Sequence, residues 1–243
     1  MRGFVEVHVA GGRVTHLATA PPVSAKVLPG PTLLIVGSAA GLLEGDTVEV
    51  IVSVGADSSL VVRTVAATLA HACPRGGETA VDVRVDAASG ARVMWLPEPL
   101  VAHAGCRHRS TAHVDLHDGA AAVWAETLAL GRHAETAGDV TIRVDVDLDG
   151  HALLRDGLRA GPTAAGADGP AVLDGARHTG TVALLGRSVG PAVDHPMVMP
   201  LAGPGAVARA LAADAAELER RLAPARAAFL DRLSAPEAIS NVA

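Results

Sequence analysis

The chain has 243 residues, of which 49% are apolar and 19% charged, with a formal net charge of −6. That length and balance allow one large or two small globular domains and exclude a disordered chain. Aromatics make up 2% of residues, tyrosine is absent and Lys26 is the sole lysine. Tyr general acids are therefore excluded, as is a Gly-rich phosphate loop, which needs lysine beside Ser or Thr. The acidic balance argues against a nucleic-acid partner, which asks for a basic stripe and stacking aromatics.

Cys73 and Cys106 are too few and too far apart for a zinc knuckle or a disulfide framework. Glu6 and His8 stand where a signal peptide carries its apolar stretch. The longest apolar run, Thr32 to Leu43, is broken by Gly37, Ser38 and Gly41 and is too short to span a bilayer. These features predict a soluble, reduced, cytoplasmic protein with no membrane partner.

Strand signals dominate the first 160 residues. Val81, Val83 and Val85 alternate with Asp82, Arg84 and Asp86, and Ile142, Val144, Val146 and Leu148 alternate with Arg143, Asp145, Asp147 and Asp149. One apolar and one charged face predicts half-buried antiparallel strands. Four turns repeat, with glycines at 55, 90, 119 and 150. Gly and Asp-Gly are hairpin chemistry, and spacings near 30 residues suggest stacked supersecondary units. The fold predicted is mainly β: one domain over 1–243, an elongated stack of antiparallel β-hairpins over 1–200, with C-terminal helices over about 204–235. An ordinary β-sandwich is the alternative. Residues 160–180 are Gly/Pro-broken loop, followed by a short strand from Thr181 to Leu185. The C-terminal helices rest on Val207, Leu211, Leu218, Leu222, Phe229 and Leu233 at four- and seven-residue steps, a stripe that docks on the protein's own sheets. Pro224 is expected to kink this segment or begin a second helix.

Two short motifs resemble catalytic or cofactor elements. Gly186-Arg187-Ser188-Val189-Gly190 matches a nucleophile elbow, but Pro191 follows where a helix is required, and Asp194 and His195 are adjacent. It is read as a turn. Gly203-x-Gly205-x-x-Ala208 matches a dinucleotide fingerprint without a following strand, and is read as a helix start. No catalytic residue and no tightly bound cofactor is predicted. His103, Cys106, His108, His113 and His117 fall within fifteen residues, after Glu98, with His71 and Cys73 as a smaller group. Imidazole and thiolate suit nickel, zinc and copper, but this spacing matches no compact tetrahedral site. Cys106 and His108 would share a strand face. Scattered surface histidines and a transient nickel site at His103, Cys106 and His108 both fit the pattern.

The order of segments resembles the UreD (UreH) urease accessory protein family from about residue 28 to 235. The segments are Ala39-Ala40-Gly41-Leu42-Leu43-Glu44-Gly45-Asp46, Arg63-Thr64-Val65-Ala66-Ala67-Thr68, Trp95-Leu96-Pro97-Glu98-Pro99, Trp124-Ala125-Glu126 with Leu130-Gly131-Arg132, and Gly205-Ala206-Val207-Ala208-Arg209-Ala210-Leu211. The resemblance implies a β-rich helicoidal fold and a non-enzymatic role. It implies partners in UreF, the GTPase UreG and the urease structural subunits, and Ni2+ as transient cargo for the urease site. Asp46, Glu98 and Glu126, in the family-like segments, are then the first candidates for a nickel path, followed by His103 and His108, with Cys106 from the cluster. Two other readings are a metal-dependent enzyme using the His/Cys cluster and a metal-free β-sandwich binding module.

Overall fold

A computed structural model describes residues 1–39, 41–189 and 197–235. The chain opens with β1 (Arg2–Ala10), β2 (Arg13–Ala20), β3 (Val23–Leu28) and β4 (Thr32–Gly37). It then winds through β5 (Thr47–Val54), β6 (Ser59–Thr64), β7 (Thr68–Ala70), β8 (Thr79–Ala87), β9 (Arg92–Trp95), β10 (Leu100–Ala102), β11 (Arg107–Leu116), β12 (Ala121–Leu130) and β13 (Asp139–Leu148). It closes with β14 (His151–Ala160), β15 (His178–Leu185), β16 (Val198–Pro200), β17 (Gly205–Ala212) and the helix α1 (Ala215–Ser234).

The strands form two facing sheets. The seven-stranded sheet runs β14-β13-β11-β8-β5-β1-β2, and the ten-stranded sheet runs β16-β17-β15-β12-β9-β6-β4-β3, with β7 and β10 alongside. Neighbours along β1-β5-β8-β11-β13 are parallel, as are β4-β6-β9-β12. The chain thus climbs as a solenoid, laying one strand on each sheet per coil. The mainly β architecture with a C-terminal helix holds, and the repeating unit is a coil rather than a hairpin. Period-two alternation reports one buried face and is silent on strand direction. Accordingly β8 carries the expected alternation, with Val83 and Val85 buried, between two parallel neighbours. Antiparallel pairs lie towards the two ends of the sheets: β1–β2, β3–β4, β13–β14, β12–β15, β15–β17 and β16–β17.

The repeated turns are the corners of the solenoid. Turns 54–57, 89–92 and 118–121 each carry the chain from the seven-stranded to the ten-stranded sheet, and only Asp149–Gly150 closes a hairpin. Asp57, Gly90 and Gly119 occupy the same corner position, with φ of 53°, 70° and 66°. That left-handed conformation favours Gly and tolerates Asp. The parallel ladder continues through the corners: Ala88 N–H donates to Val54 O, His117 N–H to Ala87 O and Asp149 N–H to Leu116 O.

Between the sheets the core is Val, Leu and Ala, as composition requires, with Trp95 and Trp124 stacked at 4.8 Å and 6°. A second core lies between the ten-stranded sheet and α1, centred on Leu218, Leu222, Ala225, Phe229 and Leu233. The helical stripe therefore docks on the protein's own sheet, but Val207 and Leu211 do not belong to it. Residues 205–212 are strand β17, antiparallel to β15. Gly205 to Ala208 are buried at every position because this strand is covered on both faces, and small side chains suit both periods. The Gly203-x-Gly205-x-x-Ala208 stretch thus leads into a strand, not a helix. The helix starts later, where the Asp214 carboxylate accepts from Glu217 N at 2.8 Å and Glu217 Oε2 accepts from Ala213 N at 3.0 Å, a reciprocal N-terminal cap. Pro224 lies inside one continuous helix rather than starting a second.

Candidate functional site

Two cavities with polar side chains in their walls lie between the sheets. The first, about 150 Å3, is walled by Val48, Val50, Val81 and Val83 from one sheet and Ile35 and Trp95 from the other. Its polar lining includes Glu98, His108, Ser110, Thr64 and Glu126. The second, about 230 Å3, lies between β12, β13, β14, β15 and β17. Glu126, Thr127 and Ile142 line both cavities, and Asp156 and Arg209 line the second.

Glu126 reaches this position through β12. Ala122 and Trp124 face the inter-sheet core and Val123 and Ala125 face α1, so alternation aims Glu126 inward. Burial pushes its carboxyl up to about 7, with the Asp156 charge adding to the rise and the Trp124 indole opposing it. His108, on β11, is 5% exposed, and its Nδ1 lies 2.8 Å from Thr79 Oγ1. Burial, helped by the Arg109 charge, lowers it to about 4, so it is neutral at pH 7. Glu98 stands exposed beyond β9, where its backbone N–H donates to Thr64 Oγ1 at 2.9 Å.

The remaining candidates lie elsewhere. Asp46 accepts from the Met1 ammonium and from Leu43 N at 3.0 Å, anchoring the chain start beside β5. His103 Nε2 is 3.3 Å from Glu135 Oε1, and its ring lies 5.9 Å from that of His71. Glu135 is held at about 2 by Arg132, whose side chain and backbone both donate to it, with His103 adding a smaller pull. Cys106 is 1% exposed, its Sγ 3.6 Å from Asp139 O, and burial drives its thiol up to about 12. Among the described residues no three His, Cys, Asp or Glu side chains are placed to hold a metal ion. The fold thus brings Glu98, His108 and Glu126 to one cavity and leaves Asp46, His103 and Cys106 outside it.

Sequence reasoning missed Asp156 and Arg209, which pair across the second cavity between β14 and β17. They are 53 residues apart and meet only because the two sheets face each other. In the elbow-like motif, β15 does precede Gly186, but Arg187 donates to Arg232 O at 2.9 Å and Leu233 O at 3.1 Å, and Ser188 O accepts from Arg232 Nε at 2.8 Å. This segment clasps the end of α1. Gly190, Pro191, Asp194 and His195 lie outside the described residues. No described helix is long and apolar enough to cross a membrane.

The family described as UreD urease accessory protein matches residues 17–241. A protein named urease accessory protein UreD from Parafrankia sp. (strain EAN1pec) is 38% identical, over 91% of this chain and 86% of its own length. Proteins of the same name from Frankia casuarinae and Streptomyces avermitilis are each 36% identical, covering 87% and 78% of this chain and 76% and 79% of their own. These relatives are named as accessory proteins, not as enzymes. The chain belongs to the UreD urease accessory protein family.

Proposed function

We propose that the chain is a scaffold and nickel conduit for urease assembly. It holds apo-urease and the complex of UreF with the GTPase UreG in the cytoplasm, and Ni2+ passes through it as cargo. The observation that carries this reading is the pair of inter-sheet cavities that share Glu126 in their walls, with Glu98 and His108 lining one and Asp156 the other. A cation in transit needs weak ligands that can be exchanged, since a closed high-affinity site would retain it. Single carboxylates and a neutral imidazole, spaced along apolar walls, supply that. The chain has no lysine-bearing phosphate loop, so GTP hydrolysis falls to a partner.

The test uses Glu126→Gln, nearly isosteric and uncharged. Co-expressed with urease and the other accessory proteins, it should lower the nickel content and activity of purified urease by roughly tenfold or more, the scale of losing a metal-contacting group. Capture of UreF, UreG and urease should be unchanged. Wild-type nickel loading in the variant would remove Glu126 from the path. A wild-type chain that captures none of these partners would end the scaffold reading.

A further inference from the structure

Along the inner face of the seven-stranded sheet the register sets side chains in rows. Val50, Val83, Ala112 and Val144 make one row, and Val52, Val85, Val114 and Val146 the next, all apolar. The row at the start of the strands is different. Thr79 of β8 lies directly beside His108 of β11, with Asp46 on its other side, one residue before the Thr47–Ala80 pair. All three are buried, Thr79 completely. The Asp46 carboxylate is engaged by the Met1 ammonium and Leu43 N. Thr79 and His108 are thus left to each other: the 2.8 Å contact between Oγ1 and Nδ1 is the one hydrogen bond of either side chain among the described residues.

That pairing decides the tautomer. A neutral imidazole carries one proton, and a hydroxyl can donate or accept. If Thr79 accepted from Nδ1–H, its own proton would be buried without an acceptor, at the full desolvation cost of that group. If it donates to Nδ1, both groups are satisfied and the ring's proton sits on Nε2. Among the described residues Nε2 has no hydrogen-bond partner, yet it is not one of the buried polar atoms sealed without one. It therefore opens on the cavity that His108 lines and Thr79 does not, and in the empty chain it faces that cavity as an N–H donor. A cation binds the imidazole lone pair, so His108 becomes a ligand through Nε2 only by changing tautomer. Nε2 gives its proton to water as Nδ1 takes one from water, the charge of the ring is unchanged, and the Thr79 hydroxyl turns from donor to acceptor. A metal-ligating histidine commonly donates its second N–H to a carboxylate, a carbonyl or water, which raises its basicity. Here the acceptor is a hydroxyl whose own proton is then left unpaired, and this weakens the complex. We propose that Thr79 is a positioning residue for His108, which fixes the ring and makes it a ligand that binds Ni2+ weakly and releases it. The proposal rests on the conduit reading and adds to it the residue that sets the affinity of one step.

The test reads the tautomer directly, by nitrogen-15 solid-state NMR of the full chain labelled at histidine, with His108→Gln to identify the signal. Empty wild type should carry the proton on Nε2. Excess Zn2+, a diamagnetic stand-in that imidazole also ligates, should move it to Nδ1. Thr79→Val, which keeps the shape and removes the hydroxyl, should show a mixture of tautomers, and Thr79→Ser should restore the wild-type signal. Thermal melting of each variant controls for folding. Co-expressed with urease and the other accessory proteins, Thr79→Val should lower the nickel content of purified urease about tenfold, the scale of losing a group that orients a ligand, and Thr79→Ser should not. A proton on Nδ1 in the empty wild type, or an unchanged tautomer in Thr79→Val, overturns the proposal. Normal loading by Thr79→Val beside failed loading by Glu126→Gln also overturns it and leaves the conduit standing. Normal loading by both variants overturns the conduit and the proposal with it.

Discussion

Glu126 and His108 line the same cavity and are displaced in opposite directions from their usual ranges. For His108, lowered to about 4 in the fold, the unfolded chain binds the extra proton between about pH 6.5 and 4, so acid favours unfolding. For Glu126, raised to about 7, the folded chain holds the extra proton between its ordinary range and neutrality, so stability falls as pH rises towards 7. Thermal denaturation across pH 5 to 8 should therefore show Glu126→Gln gaining stability relative to wild type as pH increases. His108→Gln should flatten the loss on the acid side. Parallel pH profiles for wild type and variants would mean that neither group is buried as described. The stacked Trp95 and Trp124 give the cavity an optical reporter, since they are the chain's two tryptophans. Their near-ultraviolet circular dichroism should respond to titration of Glu126 and lose its coupled signal in Trp95→Phe.

At the scale of elements, alternation located β8 and β13 to within a few residues but could not reveal their parallel pairing, which depends on where the chain goes after each turn. Of the repeated turns, three are corners and one a hairpin, although their sequences are alike, because both need a residue with positive φ. The helix was displaced for a related reason. Ala-rich β17 fits a helical spacing as readily as a strand, and the reciprocal cap of Asp214 and Glu217 marks the true start. Phe229, the fully buried aromatic of α1, anchors the helix to the sheet. Phe229→Ala should cost about 3–5 kcal/mol in chemical denaturation, the usual range for a large aromatic lost from a core. Gly138 tests the packing of the last coil. A Cβ there would lie 2.4 Å from Cys106 N and 2.5 Å from His103 O, both backbone atoms. Gly138→Ala should thus destabilise at or above the upper end of about 1–3 kcal/mol for overpacking. A near-neutral result would show that this coil can open without loss.

For the whole molecule, the exposed apolar side chains predict behaviour in isolation. Val27 and Leu28 at the end of β3 and Val65 just after β6 are 44%, 41% and 55% exposed. Exposed apolar surface promotes association, and salt does not screen that attraction as it screens surface charge. The chain expressed alone should sediment as associated species at low and high salt alike. Val65→Asp should shift it towards monomer, whereas Arg84→Ala, which removes the surface pair with Glu49, should not. Monomeric wild-type protein at both salt concentrations would show that this surface is not adhesive.

The sequence by itself determined the β-rich class, the coil-length repeat, the Val/Leu/Ala core and the absence of a phosphate loop, and its segment order pointed to the family. These are properties of composition and local periodicity, which fix what each stretch buries. Only the tertiary structure decided that Glu98, His108 and Glu126 share one cavity while Asp46, His103 and Cys106 do not, and that Asp156 and Arg209 meet across the next. Those relations depend on which coil stacks on which and on which sheet each strand joins. Proximity across two facing sheets leaves no trace in a local pattern.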